Sequence, residues 1–413
     1  MGLPAAAVVA LPAPVWLDPA ACRVADLEAV LAAGADAPCP PLAGGLVQGI
    51  PVYDCAALRR RVTDQSVPHA LTGGMPAGPM AELMPELMAE WHAVLADGAG
   101  VLVLAGAWDD PALVDAVSAE FHAMIDAEAA SGSGADHFAP AGANHRVWNA
   151  LQKLALRAPA LFARYYANDM LAWVSQAWLG PAYQVTSQLN CVNPGGAAQL
   201  PHRDYHLGFS TPAQAAAYPA SVHRLSPALT LQGAVAHVDM PCDSGPTLLL
   251  PHSQKYLAGY LVAGRADFAA CFAAHRVQLP LRRGDAVFFN PALLHAAGDN
   301  RSTDIRRLGN LLQVSSAFGR AMESVDRAAM CRALFPVLRA SLADGTLDRD
   351  AAGRAVAACA EGYGFPTNLD LDPPLGGLAP PSQQALMAQA LDEGWDDARF
   401  VCTLAARGAQ QRP

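Results

Sequence analysis

Lysine is almost missing from this chain: Lys153 and Lys255 stand alone, and the rest of its 27 basic residues are arginines. Acids outnumber bases by 37 to 27, for a formal charge of -10. Proteins that track phosphate backbones need clustered cations to release counterions, so a general nucleic-acid binder is excluded. Charge of either sign is scarce at 15%, against 53% hydrophobic residues, which is the reverse of a disordered composition and enough for a sizeable core. No apolar run approaches the roughly 18 residues of a membrane helix, and Pro4, Pro12 and Pro14 interrupt the first apolar stretch. The start lacks the basic region of a secretory leader, and Ala6 breaks the myristoylation pattern after Gly2. The expectation is a cytoplasmic protein. The nine cysteines are scattered without a single CxxC pair, which argues against a disulfide framework and a thiolate zinc centre and leaves them as reduced, mostly buried residues.

What is present changes texture along the 413 residues. Residues 1–75 are rich in Ala, Pro and Gly without sustained periodicity, and read as an irregular N-terminal extension. Helical spacing predicts a helix from about Met80 to Leu95, a strand over Val101 to Leu104, and a second helix from Asp109-Asp110-Pro111 to about Ala130. A mobile loop to Asn144 and a helical region from Trp148 to Leu179, broken near Pro159, complete this part. From Tyr183 short β-type runs take over: Gln184 to Val192, Ala228 to Val238, Pro246 to Leu250, Arg276 to Leu279, Ala286 to Asn290 and Arg307 to Ser315. They predict a β sandwich or barrel. Helices return at Arg320 to Leu342, Arg349 to Glu361 and Ser382 to Glu393. The expected division is therefore 1–75, a core over 76–319, and a C-terminal helical extension over 320–413 packed on that core.

The chemistry concentrates in Pro201-His202-Arg203-Asp204-Tyr205-His206. In an extended segment residues i and i+2 share a face, so His202 and Asp204 can reach one point. His295, beyond the strand that Asp285 opens, offers a third ligand. Two histidines and one carboxylate on one side of a metal leave the opposite positions open, the arrangement of non-haem Fe(II) oxygenases. Arg306, eleven residues past His295, offers a planar fork to a dicarboxylate.

Together with the strand Ser187-Gln188-Leu189-Asn190 and the segment Asp243 to Lys255, these pieces resemble the phytanoyl-CoA dioxygenase family over roughly Gly100 to Phe318. The resemblance implies a mainly β core with flanking helices (α+β), a double-stranded β-helix of the cupin-like jelly-roll kind. It implies Fe(II) held by His202, Asp204 and His295, with 2-oxoglutarate and O2 as cosubstrates. Arg306 then takes the distal carboxylate of 2-oxoglutarate, and Asn190 and Gln232 make further cosubstrate contacts. Arg307, one residue on, is sent to the other face by strand alternation. Arg146 is a lesser candidate for the cosubstrate. Two departures stand out: His252 and Gln254 occupy places where the family more commonly has Gly and His, and Ala297 replaces a serine found in some relatives. Asp204, in place of Ala or Gly, argues against halogenation.

The implied reaction is hydroxylation of a small organic metabolite, with 2-oxoglutarate decarboxylated to succinate and CO2, and with neither nucleic acid nor membrane as partner. Two alternatives stay open: a non-oxidative metal enzyme, which needs no Arg306, and a catalytically silent jelly-roll module. A second H-x-D, His237-Val238-Asp239, suits a strand end better than a ligand loop, and His206 and His223 read as satisfied polar positions. The aromatic residues of Trp148 to Trp178 read as helix core. The insertion Tyr205 to Leu225, rich in Pro and Ala, is expected to form a lid that governs substrate choice.

Overall fold

The structure, a computed structural model, describes residues 15–63, 80–131 and 144–412. In chain order these residues form α1 (Val24–Gly34), β1 (Gly45–Val47), β2 (Ile50–Asp54), α2 (Cys55–Thr63), α3 (Met80–Ala96), β3 (Val101–Ala105) and α4 (Pro111–Ala130). The stretch from residue 144 adds β4 (Asn144–Val147), α5 (Ala150–Arg157), α6 (Pro159–Tyr166), α7 (Asp169–Leu179) and β5 (Gln184–Val192). Next come α8 (Pro212–Ala216), α9 (Ala220–Ala228), β6 (Thr230–Ala236), β7 (Leu248–Leu249), α10 (Ala266–His275) and β8 (Val277–Gln278). Then follow β9 (Ala286–Phe289), β10 (His295–Ala296) and β11 (Arg307–Ser315), and the chain closes with α11 (Arg327–Asp344), α12 (Arg349–Cys359), α13 (Gln383–Asp392) and α14 (Asp397–Gln410).

Local chemistry sets several of these bounds. Asp110 accepts a hydrogen bond from the Leu113 amide at 3.1 Å, and Pro111, with no amide to satisfy, opens α4. Gly180, at φ 76°, closes α7 in a backbone conformation that costs an L residue more than it costs glycine. Asp326 caps α11, so this helix starts later than the expected Arg320. Asp396 caps α14, a helix the sequence reading passed over.

Eight strands form one sheet in the order β1-β2-β3-β9-β6-β11-β5-β4, and β10-β7-β8 form a second. Every pairing except β2 with β3 is antiparallel. This is the jelly roll, with flanking helices. β11, an interior strand of the large sheet, pairs with β5 along Arg307 to Ser315 and with β6 along Gly309 to Ser315. Because alternate side chains leave opposite faces, Leu308, Leu312 and Val314 pack outward against the helices, while Arg307, Gly309, Leu311 and Gln313 line the space between the sheets. The outward core also holds Phe121, Tyr166, Leu334, Phe335 and Phe400, so α4, α6, α11 and α14 share it. Phe335 stacks on Phe400 at 4.1 Å between centroids, a contact worth about 0.5–1.5 kcal/mol beyond burial.

Residues 15–63 differ from the expected irregular extension. β2 adds to the large sheet parallel to β3, and Tyr53 is fully buried with its hydroxyl donating to Glu90 at 2.8 Å. The element is short and carries Pro51, so its sequence lacks the length that marks a strand; pairing with β3 supplies the missing stabilisation. The expected mobile loop after α4 lies, over residues 132–143, outside the described residues, as do 1–14 and 64–79.

Candidate metal centre

His202 and His295 meet as a two-residue antiparallel bridge: each amide donates to the other's carbonyl, at 2.9 and 3.1 Å. The pairing brings the imidazoles to 4.5 Å between centroids and sets Asp204, one alternation further, beneath both. His202 Nε2 lies 3.6 Å from Asp204 Oδ1, and His295 Nε2 lies 3.3 Å from Asp204 Oδ2. The other ring nitrogens decide the tautomers. His202 Nδ1 sits 2.8 Å from the Leu200 carbonyl, and His295 Nδ1 sits 3.0 Å from the Leu293 carbonyl. A carbonyl only accepts, so both Nδ1 atoms carry hydrogen and both rings turn Nε2, as a metal ligand or as a second N–H donor, toward a carboxylate. Two Nε2 atoms beside one carboxylate call for a shared cation, a proton or a metal ion.

The electrostatics agree. Burial alone would raise the Asp204 carboxyl, but His295, His202 and the Gln232 amide, which donates to Oδ2, together hold it well below the usual carboxylate range. Burial, with His295 beside it, pushes the His202 imidazole down, towards the neutral form that binds metal.

The loop carrying this pair is clamped from behind. Arg203, between the two candidate ligands, is buried with Nη2 donating to the Ser253 and Tyr256 carbonyls at 2.6 and 2.8 Å, and its guanidinium lies over the Tyr260 ring. Gly259 leaves room for it, because a Cβ there would meet the guanidinium at 2.0 Å. Tyr205 follows at φ 62° and ψ 151°, a region L residues rarely enter and one that costs about 1–3 kcal/mol. The residue lines the cavity, while its hydroxyl is buried and has no hydrogen-bond partner in the protein.

The cavity between the sheets measures about 600 Å³, within the range of small-ligand sites. Asn190, Gln232 and Ala297 line it, and so does Arg146, whose Nη1 donates to Gln188 Oε1 at 2.9 Å; Gln188 passes a hydrogen bond to Gln313 at 3.2 Å. Arg306 does not line it. Its side chain is exposed and its Nε donates to Asn193 Oδ1 at 3.3 Å. Arg307 takes the inward place, buried, with only the distant Ser244 and Gly298 carbonyls, at 3.4 and 3.3 Å, as acceptors. Burial lowers its pKa to about 10, so the cation remains but is poorly satisfied. Alternation separates the two arginines as expected, but which face is inward is set by the apolar residues Leu308, Leu312 and Val314, and these turn Arg307 to the cavity. The polarity of the series 307, 309, 311, 313 against 308, 310, 312, 314 is the signal that could have identified it.

The second H-x-D is structural. His237 lies behind the large sheet with Nδ1 2.8 Å from Ser118 Oγ and Nε2 2.8 Å from the Tyr165 hydroxyl, and burial depresses it to about 3. Ser118 donates onward to the Val114 carbonyl, so Nδ1 is the donor and Tyr165 donates to Nε2. Asp239 accepts from the Arg283 amide at the surface. Asp285 accepts from the Gly106 and Arg282 amides and serves the turn before β9. His206 is exposed against Ser226 Oγ, and His223 is buried against the Ala215 carbonyl. Phe162, Tyr165 and Tyr166 are helix core, while Trp148 reaches the cavity. Of the insertion Tyr205 to Leu225, Tyr205, Gly208 and Phe209 line the cavity; α8 and α9 fold beside it, with Ala215 and Ala220 buried. At the turn before β7, Gly245 has φ 77°, and a Cβ there would meet the Asp299 carbonyl at 2.4 Å.

Among the described residues, no helix is long and apolar enough to cross a membrane. A family model described as phytanoyl-CoA dioxygenase (PhyH) matches residues 96–308. No curated protein matches the sequence. Solved structures with a similar fold include the non-heme alpha ketoglutarate dependent epimerase SnoN from nogalamycin biosynthesis, at 20% identity and TM-score 0.39 over 56% of this chain and 84% of that one. HygX from Streptomyces hygroscopicus with nickel and 2-oxoglutarate bound is similar at 15% identity and TM-score 0.39, over 57% and 90%. The alpha ketoglutarate dependent carbocyclase SnoK from nogalamycin biosynthesis is similar at 18% and 0.39, over 55% and 83%.

Proposed function

Since the chain belongs to the phytanoyl-CoA dioxygenase family, the iron- and 2-oxoglutarate-dependent oxygenases, we propose that it hydroxylates a small organic metabolite at the cavity between its two sheets. The observation that carries this reading is the pair of Nε2 lone pairs turned on one carboxylate, each fixed by an Nδ1 hydrogen bond to a backbone carbonyl. Such a donor set fits a divalent iron and leaves one side of it to small molecules. His202, Asp204 and His295 hold the metal. Arg307, in place of the expected Arg306, takes the distal carboxylate of 2-oxoglutarate, which supplies the anion that this buried cation lacks beside its two distant carbonyls. Gln232 orients Asp204 through its amide, and Asn190 faces the cosubstrate from β5.

When bound, iron with 2-oxoglutarate and O2 supplies the oxidising power, with succinate and CO2 as by-products. The protein's own share is positioning and exclusion of water. Arg203 locks the ligand loop against Ser253 and Tyr256, and Ser253 Oγ in turn accepts the Leu294 amide next to His295 at 2.8 Å. Trp148, Leu200, Phe209 and Phe289 give the cavity apolar walls. A buried unpaired cation favours this reading over a non-oxidative metal site, which has no use for a dicarboxylate clamp.

The test is to incubate the Fe(II) protein with 2-oxoglutarate in air, screen a metabolite library, and follow succinate and product mass together. Succinate formation coupled to gain of one oxygen supports hydroxylation. Succinate with unchanged substrate mass, or with loss of two hydrogens, points to epimerisation or ring closure on the same centre. Absence of metal-dependent succinate formation sinks the reading.

A further inference from the structure

A second convergence of metal-binding side chains lies on the far side of the small sheet, where α1 packs on α10. Cys22, Leu27, Phe268 and Phe272 share a core there with Leu248 and Leu250 of the β7 segment. Cys271 and His275, four residues apart on α10, project from the same helix face, and Glu28 of α1 meets them. A thiol sulfur, an imidazole nitrogen and a carboxylate oxygen from these three residues lie within 4.8 Å of one another.

None of the three side chains has a hydrogen bond or ion pair elsewhere among the described residues. The imidazole and the carboxylate therefore face each other without the short contact that an ion pair would give. Cation bonds of about 2.3 Å to sulfur and 2.0–2.2 Å to nitrogen and oxygen place tetrahedral ligands roughly 3.5 Å apart. Glu28 and His275 are exposed and can close that difference by rotamer changes, while Cys271 is buried and fixed. Burial and the neighbouring Glu28 both raise the Cys271 thiol, so a bare thiolate is disfavoured. A divalent ion reverses this balance by neutralising thiolate and carboxylate together.

We propose that Glu28, Cys271 and His275 form a second metal site, for zinc or another thiolate-seeking divalent ion, that ties α1 to α10. A single sulfur with one nitrogen and one oxygen is a softer set than the two imidazoles and carboxylate at the candidate iron centre, so the two sites sort different metals. With three protein ligands, the fourth zinc position is left to water. The cysteine spacing could not signal the site, because its ligands come from two helices over 240 residues apart in sequence.

Titration of the full-length His202→Ala, His295→Ala variant with Co2+ and Zn2+ tests this independently of the proposed iron centre. The expected result is one ion per chain, with a thiolate-to-cobalt charge-transfer absorption that disappears in an added Cys271→Ser. Zinc affinity should fall at least tenfold in His275→Ala and in Glu28→Gln, both exposed positions whose melting curves verify folding. No thiolate absorption, saturation only above about 1 mM, or binding indifferent to all three substitutions would overturn the proposal.

Discussion

The pattern His-x-Asp occurs twice, and the two copies sit on opposite sides of the large sheet. In front, His202 and His295 each fix one nitrogen on a backbone carbonyl and turn the other toward Asp204. Behind, His237 has both nitrogens satisfied, by Ser118 and Tyr165, while Asp239 is occupied by a surface turn. The same residue type is thus a chemical group in one place and a core residue in the other. What separates them is hydrogen-bond accounting: a buried imidazole with two neutral partners needs nothing more, whereas two lone pairs beside a carboxylate need a cation.

The strongest way to break this comparison is to exchange the consequences. His202→Ala or His295→Ala should abolish stoichiometric Fe(II) binding and at least about 1,000-fold of succinate production, since the chemistry belongs to the bound metal, with little change in melting temperature. Anaerobic metal analysis and a succinate assay read this. Full iron occupancy in either variant would contradict the assignment.

Arg307→Ala comes next. Loss of a two-pronged charge-assisted contact should raise the 2-oxoglutarate requirement roughly 100-fold, while Fe(II) binding stays intact. Arg306→Ala, at an exposed position, should change it by less than about twofold. Saturation curves for 2-oxoglutarate check both, and the reverse ranking would restore Arg306.

His237→Ala should leave iron binding unchanged in the folded fraction yet cost about 3–5 kcal/mol of stability, since it opens a cavity and orphans the Tyr165 hydroxyl. Chemical denaturation measures this. The same residue has a pH signature. Its folded pKa of about 3 lies below the ordinary value of 6.5, so the unfolded state binds more protons between those limits, and stability falls as pH is lowered through that window. The slope is about 1.4 kcal/mol per pH unit from this group. His237→Phe should flatten it.

The smallest effect is expected at Tyr205. Tyr205→Phe should leave kcat/KM for the metabolite and the binding of iron and 2-oxoglutarate unchanged, with stability equal or higher, because the buried hydroxyl has no partner in the protein. Steady-state kinetics with the substrate found by screening, beside a melting curve, distinguishes a substrate contact from a scaffold residue.

Much of this was legible residue by residue. The alternation in Gln184 to Val192 and Arg307 to Ser315 was strong enough that both strands have the expected bounds. Asp110-Pro111 marked the start of α4, because capping and the missing proline amide are local. The H-x-D spacing and the distant histidine were local patterns too, and they meet in one site. β10 escaped notice, since its two residues hold a strand only through pairing with β7 and the bridge to His202. β2 escaped for the same reason. The inward place of Arg307 was not legible, because alternation says that neighbours diverge but not which of them goes inward.

Sequence alone thus settled the residue types, their periodicity and the spacing that brings an imidazole and a carboxylate to one face, because these depend on the geometry of a single strand or helix turn. Only the tertiary structure decided which histidines keep a lone pair and which arginine is buried without an anion. It also decided that Tyr205 sits in a strained conformation with its hydroxyl buried and unpartnered. Those properties depend on what stands opposite each side chain, and the opposing residues come from strands, helices and loops more than a hundred positions away in one case, brought there by sheet pairing and core packing.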